Sequence, residues 1–516
     1  TPEHKLFFMN YKYGEEAECK IIKNKCEFWH NDRRIYCQND TYTMLEFFEY
    51  DGEKLTIEGR TIAINSKGDE EIKIYAAVND KYYLAEILPR ECSRFWLDEV
   101  LYKGTEFKLE IPIESFVGVY DISFGYYYRG IKVSRNDIRF GKYFPITKKI
   151  GNSYYKIKDR ALYFVNGKIE FRLCGKRGWV KHEKDFLQEI KEKYPDKYQE
   201  VKKLRIMYYI YKFFIHTHIW LVSDKANRGD DNGEAFFKYL NQTKKGKKVE
   251  SYFIYEKSNS DFKEINKIGK TVEFNSFKHK LLSLICEYQF GAYAHLSIVC
   301  PLYLDRDFYK DILCQQKFVF LQHGVAQNDY SSALNKYVQN FKAIITSAKI
   351  ERDGFVEYDY FYKPEQIKLL GLPRYDLLKS ESEKIITFAP TWRRALFGDW
   401  IQSEERYVLN EGFRESKYYK FYNSILTSDK LLRCVKENGY TIHFIPHPVF
   451  FSYLDEFKFG ENIIMHGKEV SYNEMFKKSS LFITDYSSAV FDFAYMKKPI
   501  IYTQFDKKEF YESQYD

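Results

Sequence analysis

The sequence holds no C-x-x-C pair. Its nine cysteines (Cys19, Cys26, Cys37, Cys92, Cys174, Cys286, Cys300, Cys314 and Cys434) are odd in number and scattered. That excludes a zinc ribbon and a disulfide framework and fits reduced thiols in a cytosolic protein. A strong charge of one sign is missing too. Lys and Arg number 81 against 73 Asp and Glu, a surplus of +8, too diffuse for a dedicated nucleic-acid binder. No apolar run is long enough to span a membrane. The nearest, residues 281–304, is broken by Glu287, Gln289 and His295 and closed by Pro301, and reads as a buried helix and strand. Residues 1–10 carry charge and no signal-peptide stretch. Repeats and low-complexity tracts are absent. Aromatics are what abound: 47 Tyr, 44 Phe and 6 Trp make 19% of the chain. Alongside the many Lys and Ile, they fit AT-rich codon usage better than a functional demand.

A chain of 516 residues exceeds one hydrophobic core, so two to four domains are expected. The first third alternates at strand period in runs 54–64, 72–78, 107–111 and 119–126, punctuated by Asp51-Gly52, Lys67-Gly68 and Asn79-Asp80. Runs 161–165 and 168–173 flank Asn166-Gly167, a strong hairpin signal. Strands at this spacing predict a sandwich of roughly immunoglobulin size over 45–175. Its role is either packing or the binding of a polymer or partner. Residues 183–216 turn helical. Within the helix, Lys202, Lys203, Arg205 and Lys212 alternate with Met207, Tyr208, Tyr209, Tyr211, Phe213 and Phe214. Such a helix lies on an anionic bilayer or docks as a linker on the next domain.

From residue 219 onward, short apolar strands alternate with helical stretches: 219–222, 249–255, 318–321, 343–346, 385–389, 440–445, 481–484 and 499–502. This pattern predicts parallel sheets covered on both faces, in two doubly wound domains with a break near 380–383. The expected order is a mostly β region over 1–180, a basic, aromatic helical linker over 181–218, and α/β domains over 219–380 and 381–516.

In open α/β sheets, ligands bind beyond the carboxyl ends of the strands. Those positions hold Gln322-His323-Gly324, Pro390-Thr-Trp-Arg-Arg394, Pro446-His447-Pro448 and Asp485-Tyr-Ser-Ser488, the last opening a helix through Tyr495. Imidazole suits general-base work near neutral pH, and His447 between two prolines is stiffly held. Arg393 and Arg394 can clamp a diphosphate, and a helix start at Asp485 to Ser488 can hold a phosphate oxygen. Each feature alone also has a structural reading, as a cap, a surface arginine or a core histidine. Together they form a site for a diphosphate-linked substrate.

The ordered set Leu321-Gln-His-Gly324, Gly371-Leu-Pro-Arg374-Tyr-Asp376, Ala389-Pro-Thr-Trp-Arg393, Pro446-His-Pro448 and Thr484-Asp485-Tyr-Ser487-Ser488, with Phe491-Asp492 and Lys498-Pro-Ile500, resembles the CDP-glycerol glycerophosphotransferases, the teichoic-acid-type polyol-phosphate polymerases. Ser223-Asp224 and Asp231-Asn232-Gly233 resemble the start of their catalytic region. The resemblance covers 219–516 and says nothing of residues 1–180.

It implies a GT-B-like pair of α/β domains, acceptor on the first and nucleotide on the second. His323 is the implied base and His447 assists at the phosphates. Arg393, Ser487 and Ser488 hold the diphosphate, Asp492 meets the ribose, and Gly324, Arg374, Arg394, Thr484 and Asp485 complete the binding set. No metal or other cofactor is expected; Asp305-Arg-Asp307 is a chance-level D-x-D. The implied substrates are a CDP-alcohol and a lipid-linked or polymer acceptor, at the cytoplasmic face of the membrane without a span. A nucleotide-sugar GT-B transferase and a non-catalytic polymer binder are the other readings. The sequence departs from the family after His323-Gly324, where Val325-Ala-Gln-Asn-Asp329 replaces Thr-Pro-Leu-Lys-Lys and removes a phosphate contact. Arg394 stands where an acid often follows. Thr1 and the stop at Asp516, short of the family's last helix, lead us to expect trimming at both ends.

Overall fold

Asn166 and Gly167 turn the chain as their types predict, both in the left-handed region at φ 50° and 81°, which a two-residue hairpin requires. Val165 and Lys168 pair across that turn. The computed structural model describes residues 18–22, 25–30, 33–38, 42–62, 73–96, 99–114, 118–128, 131–133, 137–214, 218–225, 229–256, 262–294, 300–401, 406–467 and 470–513. The expected turn Lys67-Gly68 lies outside them.

The chain forms two units. The first comprises residues 1–217 with 275–287 and 300–317; those last two segments, which sequence alone places within 219–380, join the earlier unit. One of its sheets runs Tyr154–Ile157, Arg160–Val165, Lys168–Leu173, Val119–Tyr128, Lys73–Val78, Lys81–Leu84, and a second runs Asp137–Phe140, Tyr42–Tyr50, Lys54–Ile62, Glu99–Pro112, Glu86–Trp96. Alternate residues of both sheets point into one core. Leu45, Leu55, Ile57, Phe107 and Ile111 from one sheet join Ile74, Ile122, Phe124, Leu162 and Phe171 from the other, nearly all fully buried. Each such side chain contributes about 1.5–3 kcal/mol.

The helical stretch is two helices, Lys176–Lys193 and Pro195–Phe214; Trp220 lies in the next strand, Ile219–Ser223. Arg205 needs correction as a membrane-facing cation. It is 1% exposed, and its guanidinium bonds Glu183, Asp311 and the Phe308 carbonyl. The helix Pro195–Phe214 also docks on Phe277–Ile285, through Lys203 over the Phe277 ring and a Lys280–Glu200 ion pair. Its other side leaves Ile206, Ile210, Phe213 and Phe214 exposed. Among the described residues, no helix is long and apolar enough to cross a membrane.

The second unit carries two fully parallel sheets. One has the order Thr271–Glu273, Glu250–Tyr255, Ile219–Ser223, Tyr288–Gly291, Phe318–Phe320, Ala343–Thr346, Ile367–Leu369. The other has Ile463–Met465, Thr441–Phe444, Ile385–Phe388, Leu481–Thr484, Ile500–Tyr502. In both, the chain starts at the third position, runs to one edge, then returns to build the other side. That reversal opens a crevice at the strands' carboxyl ends. In the first sheet it falls between Ile219–Ser223 and Tyr288–Gly291, and in the second between Ile385–Phe388 and Leu481–Thr484.

Candidate active site

The strand Phe318–Phe320 ends in a sharp turn that presents His323. Gln322, just before it, has φ 61°, a strained conformation for a residue with a Cβ, tolerated only where its surroundings hold it. The buried Gln322 side-chain amide donates to the Ile345 carbonyl at 2.6 Å and to Glu351 at 3.1 Å, and the Gln322 backbone carbonyl accepts from the Asn232 side chain at 2.7 Å. Gly324 follows, and a Cβ there would stand 2.7 Å from Ser488 Oγ. A larger residue would have to displace the Ser488 hydroxyl, so glycine keeps the two loops close. The result is a cleft of about 630 Å³, into which His323 and Gly324 face from one sheet and Thr391, Trp392, His447, Ser487 and Ser488 from the other.

The two imidazoles have opposite hydrogen-bonding character. The His323 ring stacks on Tyr293 at 4.7 Å. It is accessible to water from the cleft, yet surrounding protein pulls its pKa down to about 4, with Lys225 and Arg374 adding to the fall and a hydrogen bond to the Ala292 backbone opposing it. With one ring nitrogen so engaged, the neutral ring keeps its other nitrogen as a proton acceptor. His447 stacks on Trp392 at 5.7 Å, and its Nδ1 accepts from the Val449 N–H at 3.4 Å. A neutral ring accepting at Nδ1 carries its proton on Nε2, so His447 is a donor. Burial and Lys225 hold its pKa to about 4 as well.

Lys225 is absent from the sequence-derived set. It follows strand Ile219–Ser223, its ammonium lies 4.9 Å over the Tyr293 ring, and it is the cation common to both histidine shifts. The strand-end rule would find it; the Ser223-Asp224 motif draws attention one residue too early. Lys225→Met should raise both histidine pKa values, moving the acid limb of the pH–rate profile upward. If it also meets substrate phosphate, neutral-pH kcat/KM should fall about 10- to 100-fold, as for a lost charged hydrogen bond. An unmoved acid limb would remove Lys225 from the site.

Several residues expected to hold phosphate do structural work instead. Arg393 is buried, with Nε and Nη2 on Asp506 at 2.7 and 3.0 Å, Nη2 also on Asp485 at 2.8 Å, and Nη1 on the Thr391 carbonyl at 2.7 Å. Its donors are thus engaged within the protein. Asp485 is fully buried, accepting from the Thr391 and Tyr486 N–H groups, Arg393 and Tyr422. Thr484 Oγ1 donates to the Ala389 carbonyl at 2.7 Å. Arg394 bonds the carbonyls of Phe397 and Gly398 and stacks over Tyr407. The helix after Ser488 is only the six residues Val490–Tyr495, with no side-chain cap, and Ser487 Oγ accepts from the Ala489 N–H in the turn before it. So short a helix contributes little dipole.

Arg374 and Asp492 form a buried clamp rather than a ribose contact. Arg374 binds Asp492 bidentately at 2.8 and 2.9 Å, Asp231 at 2.8 Å and the His323 carbonyl at 2.9 Å. Its backbone N–H donates to Asn232, whose amide also holds the Gln322 carbonyl. Burial raises Asp231 to about 6 against the pull of Arg374. Burial, then the Asp231 charge, raises Asp224 well above the carboxylate range. The Asp231-Asn232-Gly233 motif thus fixes the turn beneath His323.

A family model described as CDP-glycerol:poly(glycerophosphate) glycerophosphotransferase matches residues 204–515. The chain is 31% identical over 520 residues to the minor teichoic acid biosynthesis protein GgaB of Bacillus subtilis (strain 168), covering 98% of this chain and 57% of that protein. It is 25% identical over 178 residues to the teichoic acid poly(glycerol phosphate) polymerase of Bacillus spizizenii, covering 34% of this chain and 39% of that one. It thus spans little more than half the length of GgaB and less of the polymerase. Among solved structures, the wall teichoic acid polymerase TagF matches with 16% identity and a TM-score of 0.42 over 64% of this chain and 80% of that structure.

Proposed function

We propose a polyol-phosphate transferase, from the premise that this chain belongs to the CDP-glycerol:poly(glycerophosphate) glycerophosphotransferase family. The donor is a CDP-alcohol, with glycerol as the first choice of polyol. An acceptor hydroxyl gives its proton to His323 and attacks the β-phosphorus. The bond from that phosphorus to the bridging oxygen breaks, and CMP leaves. His447 donates Nε2–H to the phosphoryl or leaving oxygens, Ser487 and Ser488 offer hydroxyls, and Lys225 supplies the cation that Arg393 does not. Charge grows on those oxygens in the transition state, where fixed donors count most. The carrying observation is the pair of imidazoles on a single cleft, His447 with its Nδ1 on the Val449 N–H and His323 open to the cleft. We read the two parallel sheets as a GT-B-like pair, acceptor side over 219–380 and nucleotide side over 381–516, and the earlier unit as sandwich-like. Product analysis tests the reaction: CMP release is expected, whereas CDP or UDP release would indicate a sugar transferase, and no turnover a polymer binder.

The acceptor is a lipid-linked or polymer hydroxyl in teichoic-acid-type synthesis, met peripherally at the cytoplasmic membrane face. Supporting this, the helix Pro195–Phe214 exposes Ile206, Ile210, Phe213 and Phe214 together with Lys202 and Lys212, and each cation adds about 1 kcal/mol near an anionic surface. Cosedimentation with anionic vesicles, weakened by salt and by Lys202→Gln with Lys212→Gln, is the expected result. Salt-independent binding would move the contact elsewhere.

A further inference from the structure

The first unit contains its own cavity, of about 720 Å³, within the range of ligand sites. Tyr154, Tyr155, Trp179, Tyr208, Tyr209 and Phe213 wall it, with Val180 at the rim. Lys156, Lys176 and Lys212 also line it, and among the described residues no carboxylate forms an ion pair with any of the three. The fourth lining lysine, Lys158, packs its ammonium toward Tyr50. Most other polar groups there are engaged. The Tyr154 hydroxyl donates to Glu183, Tyr209 bonds Arg205 and Glu183, and Tyr208 accepts from Lys212 at 3.1 Å. Asp311 accepts from Arg205 with both oxygens.

We propose that this cavity binds one anionic amphiphile, a phosphate ester on a hydrocarbon chain, with the phosphate on the lysines and the chain against the rings. The distribution of polar groups decides the ligand class. A glycan or nucleobase buried here would leave donor hydroxyls or N–H groups short of acceptors, because the Tyr154, Tyr208, Tyr209 and Asp311 oxygens are already bonded within the protein, and unpaired buried polar groups are costly. A hydrocarbon chain has no such need. The rim extends the apolar path outward, Val180 being 45% and Phe213 61% exposed. The lysines give the anion selectivity that an apolar groove alone lacks.

Calorimetric titration of the full chain tests this without reference to transferase activity, so the outcome is independent of the proposed reaction. Dodecyl phosphate, kept below its micelle concentration, should bind saturably at one site. Dodecyl maltoside and glucose 1-phosphate should each bind far more weakly. Lys176→Gln with Lys212→Gln should weaken dodecyl phosphate binding on the order of tenfold or more, and Val180→Trp should block it. All three substitutions are at exposed positions, and unchanged melting will show the fold intact. Glucose 1-phosphate binding as tightly as dodecyl phosphate would overturn the proposal in favour of a sugar ligand. Binding indifferent to both variants, or seen only with vesicles, would overturn the cavity as its place.

Discussion

Replacing His323 with alanine should lower turnover by about 10²- to 10⁴-fold, the usual contribution of a general base, while a CDP-alcohol still binds. A base proposed to act on the acceptor proton in the transition state should show its loss in kcat, with donor affinity measured by calorimetry little changed. On the proposed reading, in which its Nε2–H donates to the donor phosphates before and during transfer, His447→Ala should lower both. The pH dependence carries the same signature. Both folded-state pKa values lie near 4, below the ordinary histidine value. The neutral, competent forms therefore persist as pH falls through 6.5, and kcat/KM should decline only below about pH 5. Bound phosphate stabilises imidazolium, so the acid limb of kcat should lie higher than that of kcat/KM. Near-normal turnover in His323→Ala would end the base assignment.

What sequence reveals of this site follows from the locality of the signal. Apolar strand runs are local, and the residue after each is set by adjacency, so His323, His447, Ser487 and Ser488 are readable at strand ends and the structure brings them to one cleft. Arg393 misleads because its partners are remote: Asp485 and Asp506 lie 92 and 113 residues away. An arginine's motif shows its type; only tertiary packing shows which carboxylates neutralise it. The strain at Gln322 is hidden for the same reason, since glutamine gives no hint of positive φ without Glu351 and Asn232 to hold it. Segments 275–287 and 300–317 have ordinary helical and turn composition, and nothing local says which core will take them.

The clamp beneath His323 should respond quite differently from the base itself. Arg374→Met removes the cation between two buried carboxylates, Asp231 and Asp492, and the donor on the His323 carbonyl. Breaking a buried pair from one side costs about 3–5 kcal/mol, so the melting temperature should fall clearly, unlike in His323→Ala. Arg374 lies beneath the turn, so kcat should drop through misplacement of the imidazole with donor KM nearly unchanged. Arg374→Lys should recover some stability but little turnover, because an ammonium cannot bridge Asp492 bidentately while reaching Asp231 and a carbonyl. The deficit should also depend on pH. Asp231 already titrates near 6 with the arginine present, and without it the folded-state pKa rises further, above the unfolded value near 3.9. Where the folded state holds the proton more tightly, stability is lost as pH rises, so Arg374→Met should lie closest to the parent near pH 5 and fall away toward pH 8. Asp492→Asn added to Arg374→Met should restore part of the loss, since it removes a charge left without its partner. Unchanged melting with a raised donor KM would reverse the assignment: Arg374 would then be a phosphate ligand, and the ion pairs with Asp231 and Asp492 incidental to it.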